Sequence, residues 1–143
     1  MVIVTVHGRI AKKDKVKEYS EQVLTDLMPR LRRNVQIDIN VITECDEKNY
    51  ALCWGDKDEV EIELARKSGR KKFTLDEMML NLAHELVHAK QFIKGELHPT
   101  LYKWKKFKKD YAKTPYFKQP WEKEAYLMED KIFNQFWKNG KSI

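Results

Sequence analysis

The sequence predicts an α+β fold in a single domain, and three observations carry that expectation. Residues 35–41 and 59–64 alternate apolar and polar side chains, the period of half-buried strands. From Lys13, and again from Leu75, apolar residues recur instead at helical spacing. The 143 residues are a common size for one domain and suffice for one core without staples. Residues 1–143 are therefore treated as one unit. Residues 1–72 form a helix-plus-sheet half with a small mixed or antiparallel sheet, 73–95 a second helix, 96–120 a connection, and 121–143 a last helix with a tail.

Residues 2–7 alternate as a short strand that Gly8 ends. Val16, Tyr19, Val23, Leu24, Leu27 and Leu31 then mark one face of a helix from about Lys13 to Arg33, with Pro29 fraying its last turn. Over residues 35–44, Val35, Ile37, Ile39 and Val41 point inward. Asp46–Asn49 is turn-like, and Tyr50–Trp54 reads as the return strand of a hairpin across which Cys45 and Cys53 could face each other. In residues 59–66, Val60, Ile62 and Leu64 alternate with Glu59, Glu61 and Glu63, a charged exterior that suits a sheet edge. Residues 68–72 form a basic loop. Thr74 and Glu77 have capping-box spacing, so a helix starts at Leu75 and runs to about Ile93, with Gly95 beyond its end. Residues 96–120 are basic and aromatic without a clear period, and Pro120 precedes a helix from Trp121 to about Trp137.

The composition narrows the setting. The apolar content of 42% is ordinary, whereas 35% charged residues imply a heavily solvated exterior. The apolar N-terminus is six residues long without a basic stretch, so it reads as a strand rather than a signal peptide, and no run approaches a membrane span. Two cysteines make no disulfide framework, which points to a reducing cytoplasm. The net charge is +6, and between residues 96 and 120 seven lysines oppose only Glu96 and Asp110, a local +5.

The segment His84-Glu85-Leu86-Val87-His88 concentrates the chemistry. Imidazoles at i and i+4 lie on one helical face, where both can reach a single tetrahedral Zn2+. The intervening Glu85 then stands beside the metal-bound water as general base. At 100° per residue, Leu75, Met79, Leu82, Leu86 and Ile93 fall within about 60° of one another, and His84 and His88 lie opposite. A third protein ligand is required, and Glu122, Glu124 and His98 are the candidates. On the last helix, Trp121, Ala125, Tyr126, Met128, Ile132, Phe133, Phe136 and Trp137 define an apolar arc that contains Glu122 and excludes Glu124. A carboxylate in such an arc needs a partner, and zinc would be one. Glu129 falls in the same arc, placed for a salt bridge or for support of a zinc histidine.

Gln91 and Lys94 stand where a metzincin needs Gly and His, which removes that class. Thr74-Leu75, His84 through Gln91 (HELVHAKQ) and Pro120 through Tyr126 (PWEKEAY) together resemble the small SprT-like or minimal gluzincin metallopeptidases of bacteriophages and bacteria, over roughly residues 50–130. The resemblance implies a zincin-like fold, a zinc-dependent hydrolase acting on peptide or protein substrates, and Glu122 as third ligand, since gluzincins carry it in an ExxA pattern that falls on Glu122 and Ala125. The acidic residue that usually follows that Ala is Tyr126 here. Stricter SprT-like proteins use a His-Gly, and the comparable place holds His98-Pro99. The resemblance also puts the strand at 59–66 on the rim of the cleft, where its glutamates would favour basic substrates.

A different function class rests on the connection. Lysines 103, 105, 106, 108, 109, 113 and 118 are interleaved with Tyr102, Trp104, Phe107, Tyr111, Tyr116 and Phe117. That mixture suits weak DNA binding by segment 103–118, either in a catalytically idle module or beside hydrolysis. Alternatively, the aromatics pack a lid over the cleft and the lysines are its solvated side.

Overall fold

The computed structural model describes residues 1–99, 103–105 and 109–139, and in these it is a mixed α+β fold built in three layers. The first layer is a four-stranded sheet of β1 (Val2–His7), β2 (Val35–Ile42), β3 (Ala51–Gly55) and β4 (Glu59–Ala65), in the order β1-β2-β4-β3. β1 and β4 both run parallel to β2, and β3 runs antiparallel to β4. The second layer is α1 (Lys13–Leu27) and α2 (Leu75–Ile93), and the third is α3 (Pro120–Ile132), which packs on α2 and continues as a π-helical turn, Phe133–Lys138.

The alternation read in the sequence decides which face of the sheet is covered. Val35, Ile37, Ile39 and Val41 of β2 and Val60, Ile62 and Leu64 of β4 are buried, and α1 answers with Val16, Tyr19, Val23 and Leu24. The Tyr19 hydroxyl donates to the Met79 carbonyl across the α1–α2 seam at 3.1 Å. α1 ends at Leu27 rather than near Arg33. Met28 leaves the helical region at φ −133°, as the residue before a proline tends to.

Two expectations about the sheet are corrected. Tyr50–Trp54 does not return along β2. It pairs with β4 through a turn in which the Asp56 carboxylate accepts from the backbone N–H groups of Asp58 and Glu59. Cys45 and Cys53 are consequently free thiols on separate segments. The strand at 59–65 is also not an edge: β2 and β3 flank it, and the edges are β1 and β3. Parallel pairing of β2 with β4 leaves the intervening strand only the outer position. The charged alternation of Glu59, Glu61 and Glu63 marks the uncovered face of the sheet, where Trp54 donates to Glu61 at 3.0 Å. Residues 67–72, expected as a basic loop from 68, hold two short strands, β5 (Lys67–Ser68) and β6 (Lys71–Lys72), turning at Gly69 with φ +59°.

α2 begins where the capping box requires. The Thr74 side chain accepts from the Glu77 N–H, and the Glu77 carboxylate accepts from the Thr74 N–H at 2.9 Å. From Leu82 to Ile93 every residue is buried, because the helix lies between the sheet and α3. No helix among the described residues is long and apolar enough to cross a membrane.

Candidate metal centre

His84 and His88 leave the face of α2 that turns from the sheet, and α3 crosses directly over them. Pro120 opens α3 with its fixed φ, and Glu122 follows in its first turn, pointing at α2 from between the buried Trp121 and Ala125. The Glu122 carboxylate oxygen Oε1 lies 2.9 Å from Nε2 of His84 and 3.2 Å from Nε2 of His88. The two Nε2 atoms are 3.2 Å apart. Four-coordinate metals with bonds of about 2.0–2.1 Å hold their ligand atoms roughly 3.3 Å from one another, so this spacing fits a metal with little adjustment. His84, His88 and Glu122, all buried, are thus a group that could hold a metal ion.

Electrostatics tie the three groups together. Burial draws the His84 imidazole down, but hydrogen bonds to Glu122 and Glu129 and the Glu85 charge outweigh it and raise its pKa to about 10. The same balance raises His88. Burial pushes Glu122 up, yet its bonds to both imidazoles prevail and lower it to about 2. An ionised carboxylate facing two imidazoles offers a cation three donor atoms once the imidazole protons have been displaced. Glu85 differs: burial raises it although both imidazoles oppose the shift, the direction that suits a proton acceptor working near neutral pH.

Each imidazole is held from behind. Glu129 Oε1 lies 3.5 Å from Nδ1 of His84, on the same face of α3 as Glu122, which is the supporting place anticipated for it. Tyr126, where the resembled family carries an acid, instead packs its ring edge-on to His84 at 4.5 Å. Behind His88, Nδ1 donates to the Gln91 side-chain oxygen at 2.7 Å. Glu124 lies away from the centre and accepts from Lys90 and Gln91, each at 2.9 Å. His98 is exposed in the loop after α2, where its backbone N–H donates to the Lys103 carbonyl. In the sequence Gln91 stands out as a departure from metzincins and as the end of the HELVHAKQ motif, without a role of its own. Its spacing of three from His88 on one helix was the available clue.

The cleft over the centre comprises two adjoining cavities of about 280 and 550 Å3 that share Asn49, Ala51, Glu85 and Tyr116. Leu52, Cys53, Phe92, Leu97 and Trp121 make the smaller one apolar beyond His88. Asn81, His84, Tyr126 and Glu129 line the larger. One wall is therefore β3 and the residues before it, not the strand at 59–65, and Glu59, Glu61 and Glu63 do not line it. No family model, curated protein or solved structure matches the chain.

In the connection, Leu97 and Trp104 form an isolated antiparallel bridge, and Trp104 and Tyr111 pack against Trp121. Tyr116 and Phe117 pack against Tyr126 at the cleft mouth. Tyr102, Phe107, Lys106 and Lys108 lie outside the described residues.

Proposed function

We propose that this chain is a zinc-dependent hydrolase, a peptidase of the minimal gluzincin or SprT-like kind with a zincin-like fold. His84, His88 and Glu122 would be its metal ligands and Glu85 its general base. The observation that carries the reading is the convergence of two imidazole nitrogens and one carboxylate oxygen within 4.8 Å, next to Glu85 in an open cleft. Two imidazoles and a carboxylate are a donor set suited to zinc, and a fourth position open to the cleft is the mark of a catalytic rather than a structural site. A zinc ion held there would polarise a substrate carbonyl and lower the pKa of a bound water towards about 7.

The protein's own groups supply the rest. Glu85, raised by burial, takes a proton from the attacking water and returns it to the leaving amine. Tyr116 lines both cavities with its hydroxyl 3.4 Å from that of Tyr126, so either phenol is placed to donate towards a substrate carbonyl oxygen. The open edge of β3 offers backbone groups to an extended peptide.

Zinc content and peptidase activity test this directly. Glu85→Gln should retain one zinc per chain and lose at least about 100-fold in turnover, since an amide cannot accept the water's proton. Replacing His84 or His88 by Ala should abolish stoichiometric zinc. Near-wild-type turnover in Glu85→Gln, or substoichiometric metal in the reconstituted parent, would defeat the assignment.

A second reading, compatible with the first, is weak DNA binding through segment 103–118. Lys103, Lys105, Lys109, Lys113 and Lys118 are all exposed, which supports phosphate contacts, while Trp104 is buried and not free to stack on bases.

A further inference from the structure

Beneath His88 lies a buried polar chain that the reaction does not use directly. Gln91 is fully buried one turn beyond His88, and its amide is engaged at both ends. Its Oε1 accepts from Nδ1 of His88 at 2.7 Å. Its Nε2 donates to the Trp121 carbonyl at 3.0 Å and to Glu124 Oε1 at 2.9 Å. The same Glu124 oxygen accepts from Lys90 at 2.9 Å, and the buried Lys90 ammonium also meets Glu96 at 2.8 Å. The carboxylate is thereby pinned between α2, α3 and the loop that leaves α2.

This chain leaves Gln91 one orientation. Turning the amide over would set its oxygen against the Trp121 carbonyl and the Glu124 carboxylate, two acceptors facing an acceptor, at a side chain fully shielded from solvent. With Oε1 facing His88, Nδ1 must carry the hydrogen, so the lone pair of the neutral ring lies on Nε2, the atom that faces Glu122 and His84. We propose that Gln91, oriented by Glu124 and Lys90, is a positioning residue that fixes His88 in the one tautomer a metal can use. The inference rests on the metal-centre reading above and extends it to residues outside the ligand set. Glu124, a ligand candidate by sequence, then acts on the centre through another side chain.

The test is a double-substitution cycle in zinc affinity, read by chelator competition on the full chain, with thermal unfolding of the metal-free protein alongside. Gln91→Met keeps the volume and leaves Glu124 paired with Lys90. It should lose about 10- to 100-fold in affinity at a temperature where thermal unfolding shows the metal-free variant still fully folded. Glu124→Ala should lose less, about tenfold. Glu124→Gln, which still offers an acceptor oxygen, should stay within about threefold of the parent. Because Glu124 acts through Gln91, adding Glu124→Ala to Gln91→Met should weaken zinc no further. Parent-like affinity in Gln91→Met, or losses that simply add in the double variant, would overturn the relay and leave the metal centre standing. Failure of the parent itself to bind stoichiometric zinc would overturn both.

Discussion

Glu122 and Glu124 stand two residues apart on α3 and do different work, because a step of two on a helix turns a side chain by about 200°. Glu122 meets both imidazoles, whereas Glu124 meets Lys90 and Gln91. Glu122→Ala should therefore weaken zinc far more than Glu124→Ala, and His98→Ala should leave it unchanged. Chelator competition on the three variants checks this, and an equal loss at His98 would move the third ligand to the loop after α2. Proton linkage gives a second expectation. His84 is raised to about 10 in the folded, metal-free protein against an ordinary value near 6.5, so its protonation stabilises the fold fully below about pH 6.5 and is lost as pH rises towards 10. Unfolding of the chelator-treated protein should accordingly shift to lower temperature across that window. Zinc affinity should move the opposite way, rising with pH because the metal must displace the imidazole protons. The convergence of His84, His88 and Glu122 into a group that could hold a metal was legible in the sequence, since HExxH spacing and the apolar arc around Glu122 are properties of single helices. Lys90 was not, as nothing local announces that a lysine will be buried between two glutamates contributed by α3 and a loop.

At the scale of elements, the reading succeeded where a local rule is sufficient and failed where pairing is decided at a distance. The capping box set the start of α2, and Thr74→Ala should cost about 1 kcal/mol of stability, measurable by denaturant unfolding. Alternation identified β2, β3 and β4 as strands, but period-two patterning carries no information about which strand lies beside which. The alternation therefore leaves β3 as a return along β2 and β4 at a sheet edge, neither of which the topology keeps. The glutamates of β4 resemble an edge signature only because one sheet face is uncovered. Gly8, at the end of β1, adopts φ +95°, and a Cβ there would overlap the Val41 carbonyl oxygen. Gly8→Ala should destabilise by about 1–3 kcal/mol, more than the cap, since both the backbone conformation and the space exclude a side chain. An unfolding midpoint unchanged from the parent would show that β1 and β2 can part there without cost.

At the scale of the whole molecule, the layered order places the centre between the second and third layers and brings Leu97, Tyr116 and Gln119 of the connection to the cleft. Its inner aromatics belong to the protein: Trp104 and Tyr111 pack against Trp121, whose backbone carbonyl in turn holds Gln91. Its described lysines face outward, and Lys105 and Lys109 lie over the rings of Trp104 and Tyr111 at 5.3 and 5.0 Å. Such a surface offers charge to a polyanion, with stacking left to the exposed Tyr116 and Phe117, and among its described residues no fork that reads base edges, so any DNA binding should be weak and indifferent to sequence. If three or four of these lysines contact phosphates, log K should fall with log salt at a slope of roughly −3 on duplex. Replacing Lys103, Lys105 or Lys109 by Ala should each make that slope shallower by up to about one unit, with zinc content unaffected. Because Tyr111 packs edge-on to Trp121, Tyr111→Leu should change the unfolding temperature more than the DNA affinity. Fluorescence anisotropy with a labelled duplex across a salt series reads the affinity and its slope, and thermal unfolding reads the stability. No detectable binding near 50 mM salt, a concentration at which a handful of phosphate contacts should still be measurable, would assign the lysines to the solvated side of a lid over the cleft.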